Sequence, residues 1–376
     1  MSVSPPSRKP DTSLIFGAEM NRALFFVCVA TVFFSSMEIA LKQIVDAFSA
    51  MQVNTTRFLL GGLALIPFAL RDLRRGEEKL TLAAVARMAV LGLLGIVVSM
   101  GFYQLAVELA PASVVAVIFC GNTAFVLFFA HIFLKSPIAR NQIAALVLAI
   151  LGIVCILWPF ASVLRAEALV YAVLAPATFA LYAVLSTPLC RRYSGVVVTC
   201  GTFLLGSAEL LVLVFLADLG PVAAFLQAHG MGFLTNVHLL SGYTFSSFLG
   251  MLYVGIGVSG IGFATYFMAA EVGSPFTASL VFFFKPVLAP ILAWALLDDT
   301  IPPSMLLGIA CIVAGSLCLI LVRLRDLRLV RTMQHWQRLY HHKRWRHDYR
   351  IRHFDPHLLA VVHRDEEVQA DEAKRG

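Results

Sequence analysis

Long apolar runs recur along the chain, separated by short polar connections. Ten can be drawn, over residues 23–43, 55–70, 86–107, 112–134, 141–159, 167–186, 196–217, 244–270, 275–297 and 304–323. Each is close to the roughly 17–25 residues that a helix needs to cross the ~30 Å hydrocarbon layer. None alternates apolar and polar positions with a period of two, which excludes a transmembrane β-barrel. The pattern predicts an all-α polytopic membrane protein of ten transmembrane helices. The connection 218–243 is longer than the rest, carries Gly220-Pro221 and two histidines, and has room for a surface helix.

Composition agrees with the pattern. Apolar residues make up 59% of the 376 positions and charged residues 14%, with a mean hydropathy of +0.84. A soluble globular chain carries about 45–50% apolar and about 25% charged residues. A lipid-facing surface accommodates this excess, because apolar side chains can then point outward as well as inward. The seven cysteines lie inside or beside apolar segments without CxxC spacing, and read as small packing residues. Residues 1–22 are polar, and the first apolar run is too long for the apolar part of a cleaved signal peptide.

Charge sets the expected orientation. The net charge is +7, but thirteen of the 29 Lys and Arg lie from Arg323 onward. This distribution argues for cytoplasmic loops and a basic tail and against nucleic-acid binding. With the N-terminus inside, twelve Lys and Arg fall in cytoplasmic segments ahead of the tail; only Lys42, Arg57 and Arg165 fall outside. The expectation is a multi-pass protein of the inner or plasma membrane with both termini cytoplasmic.

The chain repeats itself. Residues 107–157 overlay 270–320 at an offset of 163 without a gap, with seven identities, Glu108/Glu271 and Phe119/Phe282 among them. Each half then holds five spans. An odd number places the halves in opposite orientations, so the reading is two inverted five-helix repeats. The predicted organisation is a cytoplasmic N-terminal segment 1–22, a first repeat 23–160, a second repeat 161–323 and a basic, His-rich cytoplasmic tail 324–376. Inverted repeats of this kind form transporters with a substrate site near the midplane.

Two stretches resemble a known family. "LGLLGIVVSMGFYQLAVELAPASVVAVIFCGNTAFVLFFAHIFLK" with "ARNQIAALVLAILGIVCIL" is similar to the first half of an EamA-type member of the drug/metabolite transporter superfamily. "LGMLYVGIGVSGIGFATYFMAAEVGSPFTASLVFFFKPVLAPILAWALLDD" with "LLGIACIVAGSLCLIL" is similar to its second half. The resemblance implies ten helices, a central cavity and the export or exchange of metabolites. Members commonly carry Glu after helices 4 and 9, where this chain has Lys135-Ser136 and Asp298-Asp299.

Within the spans a few residues stand out chemically. A central Lys or Asp costs about 2.5–3.5 kcal/mol on insertion scales. Lys285 lies ten residues into "PFTASLVFFFKPVLAP". It reads as a cavity-facing cation or as half of a structural ion pair between helices; the first is favoured because intramembrane charges usually face a cavity or one another. Glu38, in "FFSSMEIALK", is the best partner by depth. Asn122 is the counterpart of Lys285 under the repeat, and is equally explained by an interhelical hydrogen bond. Pro286 and Pro290 remove backbone N–H groups and free carbonyls near Lys285. Glu209, mid-span, reads as a proton-coupling acid or as interhelical glue. Tyr103, Tyr182, Phe263 and Tyr266 are candidate cavity walls.

The tail from Arg331 contains seven of the ten histidines among basic and aromatic residues, and reads as a helix on anionic lipid or as disorder. No P-loop, HExxH or GxSxG motif is present. The expected function is therefore secondary transport of small metabolites, amino-acid-like or otherwise carboxylate-bearing, by alternating access. The expected partners are a substrate, membrane lipid and a proton, with a homodimer as candidate assembly and with no metal, cofactor or enzymatic step. The alternatives are a membrane-embedded enzyme, for which no catalytic constellation is found, and a scaffold or sensor acting through the tail.

Overall fold

The computed structural model describes residues 12–315 except 77, 137, 139, 158–164, 298–302, 305 and 312. The expectations for the tail, for Asp298-Asp299 and for the end of the last run lie outside the described residues. The helices are α1 (Thr12–Ile44), α2 (Ala50–Arg75), α3 (Leu82–Leu109), α4 (Ala112–Cys120), α5 (Asn122–Leu134), α6 (Arg140–Leu157), α7 (Ala166–Tyr193) and α8 (Gly195–Ala217). They continue with α9 (Gly220–Ala228), α10 (Phe245–Val272), α11 (Pro275–Ser279), α12 (Val281–Leu297) and a short apolar helix α13 (Leu306–Gly315). Among the described residues there is no strand. Among the described residues seven helical runs are long and apolar enough to cross a membrane: Asn21–Ile44, Ala50–Arg75, Leu82–Leu109, Val114–Leu134, Ala166–Tyr193, Gly195–Ala217 and Phe245–Val272. Large apolar side chains stand exposed around them, including Phe25, Val32, Phe68, Val90, Phe128 and Phe215. In water such a surface would associate, whereas in lipid it is solvated.

Helix starts are set by side-chain caps, and the caps recur. Ser49 Oγ accepts from Gln52 N at the start of α2, and Ser194 Oγ accepts from Val197 N at the start of α8, 145 positions later. Thr81 caps α3 and Thr244 caps α10, 163 positions later. Both ends of α3, Leu82 and Leu109, lie 163 positions before the ends of α10, Phe245 and Val272. The second offset exceeds the first because the connection after α8 is longer. That connection carries α9, which has no buried residue and matches the expected surface helix.

Packing follows the same two offsets. A Cβ on Gly61 of α2 would come within 2.9 Å of Gly255 O in α10; a Cβ on Gly206 of α8 would come within 2.8 Å of Ile96 and 3.0 Å of Gly92 O in α3. Glycine is needed at these crossings because the backbones touch. Phe34 meets Phe282 at 6.2 Å between ring centroids, and their counterparts Phe179 and Phe119 meet at 5.5 Å. Two residues meet their own counterparts: Phe58 and Phe203 at 4.7 Å, Phe119 and Phe282 at 5.5 Å.

Several long helices are not regular throughout. Leu93–Ser99 in α3 and Tyr253–Gly262 in α10 are π-helical. The fourth and ninth expected spans are each interrupted, at Gly121 between α4 and α5 and at Leu280 between α11 and α12. The helix runs on through Pro286 and Pro290, so the break lies before the prolines. Thr123 Oγ1 donates to Ser279 O at 3.3 Å, tying the two interruptions together.

Candidate functional site

Glu38 on α1 and Lys285 on α12 form a direct ion pair in which Lys285 Nζ donates to Glu38 Oε1. Both are fully buried, at 1% and 0% exposure. The depths expected from sequence left a gap of about 9 Å between them along the membrane normal at 1.5 Å per residue. The direct contact shows that helix packing and the two long side chains close it. The Lys285 ammonium also lies 5.3 Å from the Phe119 ring centroid and 5.9 Å from that of Tyr103. Aromatic faces attract a cation through their quadrupole, most strongly where water is excluded.

A third buried charge was misplaced by the sequence. From sequence Arg57 falls on the outer side, at the very edge of a second span drawn from residue 55. The Ser49 cap starts α2 at Ala50, which places Arg57 two turns inside the helix and 0% exposed. Its Nη2 donates to Asn54 Oδ1 at 3.4 Å. Asn54 Nδ2 in turn donates to Ile96 O at 2.8 Å, a carbonyl in the π-helical stretch of α3. The guanidinium carbon lies 4.5 Å from the Phe58 ring centroid and 5.9 Å from that of Tyr103. Glu38 is within electrostatic range of Arg57. Glu38, Arg57 and Lys285 are the fully buried charged side chains among the described residues. They surround Tyr103, whose hydroxyl lies beside Glu38 without regular hydrogen-bond geometry.

The other candidate residues are distributed around this cluster. Asn122, at the start of α5, is buried and donates through Nδ2 to Pro176 O of α7 at 3.0 Å. Tyr182, Phe263 and Tyr266 are fully buried. Tyr266 and Phe263 join Phe34, Phe179 and Phe282 in one aromatic group. The Tyr182 hydroxyl is bonded to Thr202 Oγ1 at 2.9 Å. Glu209 on α8 is partly exposed and is not among the fully buried charges. Glu271 accepts from Gly195 N at 2.6 Å and so caps the start of α8. Among the described residues no group of three or more His, Cys, Asp or Glu is placed to hold a metal.

Chemically, the site is a small set of formal charges enclosed by aromatic rings. Water reaches none of Glu38, Arg57, Tyr103 or Lys285 in this conformation. The elements that carry them, α1, α2, α3 and α12, come from both halves of the chain.

The comparisons with known proteins agree with this architecture. The EamA-like transporter family matches twice, over residues 21–158 and 166–321. The two matches begin 145 positions apart and end 163 apart, the same offsets as the helix caps. An uncharacterized transporter of Clostridium kluyveri is 31% identical over 307 residues, covering 79% of this chain and 93% of that protein. A solved structure superposes with a TM-score of 0.60 at 19% identity, covering 81% of this chain and 98% of the other, which is a likeness of fold. With two matches spanning most of its length, the chain belongs to the EamA-like transporter family and is a multi-pass membrane protein.

Proposed function

We propose that the chain is a secondary transporter of ten spans, built as two inverted five-helix repeats, that exports or exchanges small metabolites by alternating access. The recurrent caps and reciprocal helix contacts support a two-fold relation between the halves. Five spans per half make that relation an inversion. Repeats at 23–160 and 161–323, a cytoplasmic segment 1–22 and a cytoplasmic tail 324–376 follow from the same reading, in an inner or plasma membrane. No covalent chemistry belongs to it.

The observation that carries the proposal is the buried Glu38–Lys285 pair, which joins the first helix of one half to a helix of the other. A buried ion pair is a poor stabiliser compared with apolar packing, so stability alone does not account for it. The pair fits a device that must separate and re-form as the halves rock. In this reading the sealed site is an occluded conformation. Lys285, Glu38, Asn122, Tyr103, Tyr182, Phe263 and Tyr266 line the space that opens, and Glu209 is the candidate coupling acid for a proton.

The test is counterflow of labelled metabolites in proteoliposomes, with and without a pH gradient. Lys285→Met and Glu38→Gln are each expected to abolish flux. The double variant is expected to lose much less than the sum of the two. Normal flux in well-inserted Lys285→Met protein would reduce the pair to a structural role. Independent, additive losses would mean that the two residues matter without acting as a pair.

A further inference from the structure

The three buried charges do not balance. Arg57 and Lys285 are cations and Glu38 is the single anion, which leaves one positive charge enclosed where water does not reach. Lys285 is bonded to Glu38, whereas Arg57 is bonded only to a neutral amide at 3.4 Å. Arg57 Nε and Nη1 have no acceptor although they are fully buried. Buried polar groups in folded proteins are almost always partnered, and an unpartnered guanidinium is among the costliest exceptions. The planar guanidinium matches carboxylate geometry and binds it with paired, charge-assisted hydrogen bonds.

We propose that Arg57 is the anion-recognition group of the site and that the substrate is a small organic monocarboxylate, whose single charge completes the cluster. This rests on the transporter reading and names the substrate class for it. One carboxylate makes the occupied cluster neutral. A dianion would leave it negative, and a neutral amide would leave Arg57 as it is in the empty site. Lys285, already neutralised by Glu38, is not the group that selects for charge. Aromatic rings at Phe58, Tyr103 and Phe119 surround the charges and would receive the apolar part of the acid.

The experiment uses the full-length protein in lipid nanodiscs. Its probes are acetate, benzoate and phenylacetate, each measured against its own primary amide, with succinate as the dianion. A monocarboxylate is expected to raise the melting temperature in a concentration-dependent way, with its amide and succinate doing so at least about tenfold less effectively. Arg57→Met is expected to lose this stabilisation without lowering the melting temperature of the empty protein, because it relieves the repulsion between the two cations and leaves Glu38 paired with Lys285. Arg57→Lys is expected to keep the preference for acid over amide at reduced affinity. Equal effects of acid and amide, or no effect of any of the acids, would overturn the proposal. So would a fall in the melting temperature of empty Arg57→Met as large as that of Lys285→Met, since Arg57 would then be structural. The transporter reading fails separately. Proteoliposomes without flux would leave carboxylate binding at Arg57 standing, whereas flux that is indifferent to Arg57→Met would leave transport standing without the anion site.

Discussion

Because Glu38 serves two cations, removing it should cost more than removing either of them. Arg57 and Lys285 each lie 5.9 Å from the Tyr103 ring centroid, so they are no more than about 12 Å apart. At the effective dielectric constant of about 20 that suits protein sites, two like charges at that distance repel by at least about 1.4 kcal/mol. Glu38→Gln leaves this repulsion in place and strips away its compensation. Removing one partner from a buried pair costs about 3–5 kcal/mol, and the upper end of that range is expected here. Lys285→Met also breaks the pair, but it removes the repulsion and leaves Glu38 facing Arg57 as a neutral set. It should be cheaper than Glu38→Gln by about 1.5–3 kcal/mol. Unfolding free energies from SDS titration in mixed micelles would measure both variants. Adding Arg57→Met to Glu38→Gln should recover part of the loss. If Lys285→Met proves as damaging as Glu38→Gln, or Arg57→Met gives no rescue, Arg57 does not share the field of Glu38 and the three-charge cluster is wrong.

Two further expectations test the scaffold. Gly206→Val should cost about 1–3 kcal/mol and reduce the yield of folded protein, because its Cβ would meet Ile96 at 2.8 Å and backbone at 3.0 Å; wild-type stability in this variant would show that α3 and α8 do not cross so closely. A phosphatase or fluorescent reporter fused after Gly376 should report a cytoplasmic C-terminus, and a reporter active only on the far side of the membrane would refute the ten-span, inverted topology.

Much of the scaffold was legible because hydrophobic length is a strong signal in lipid. The all-helical class and the 163-residue offset came directly from the runs. The misplacement of Arg57 shows where that signal weakens. Its helix begins with "AMQVNTT", whose polar residues look like a loop, and the apolar run starts only at Phe58. The Ser49 cap was the available clue. It recurs 145 positions later at Ser194, ahead of an unambiguous span. Lys285 and Glu38 were conspicuous because each interrupts a long apolar stretch. Depth named them as partners, whereas the directness of their contact was not legible, since it depends on how the helices pack around the break at Leu280. The π-helical stretches left no mark in composition, because they change hydrogen-bond register rather than side-chain chemistry.

The distribution of charge over the repeat bears on why the site has a polarity at all. The walls are paired across the halves: Phe34 with Phe179, Phe58 with Phe203, Tyr103 with Tyr266, and Phe119 with Phe282. The charges are not. At the same offsets Glu38, Arg57 and Lys285 correspond to Ala183, Thr202 and Asn122. A faithful duplication would bring a second Arg, Lys and Glu into the same aromatic enclosure, where Phe119 and Phe282 show counterparts approaching to 5.5 Å between ring centroids. Like charges so placed would repel one another in a region that excludes water, and the net excess would double. Neutral partners avoid this and still bond their surroundings, as Asn122 does by donating to Pro176 O and Thr202 by donating to Val198 O. Breaking the repeat at three positions thus leaves the aromatic enclosure with one anion, two cations and a net charge of one, where a faithful duplication would have doubled it.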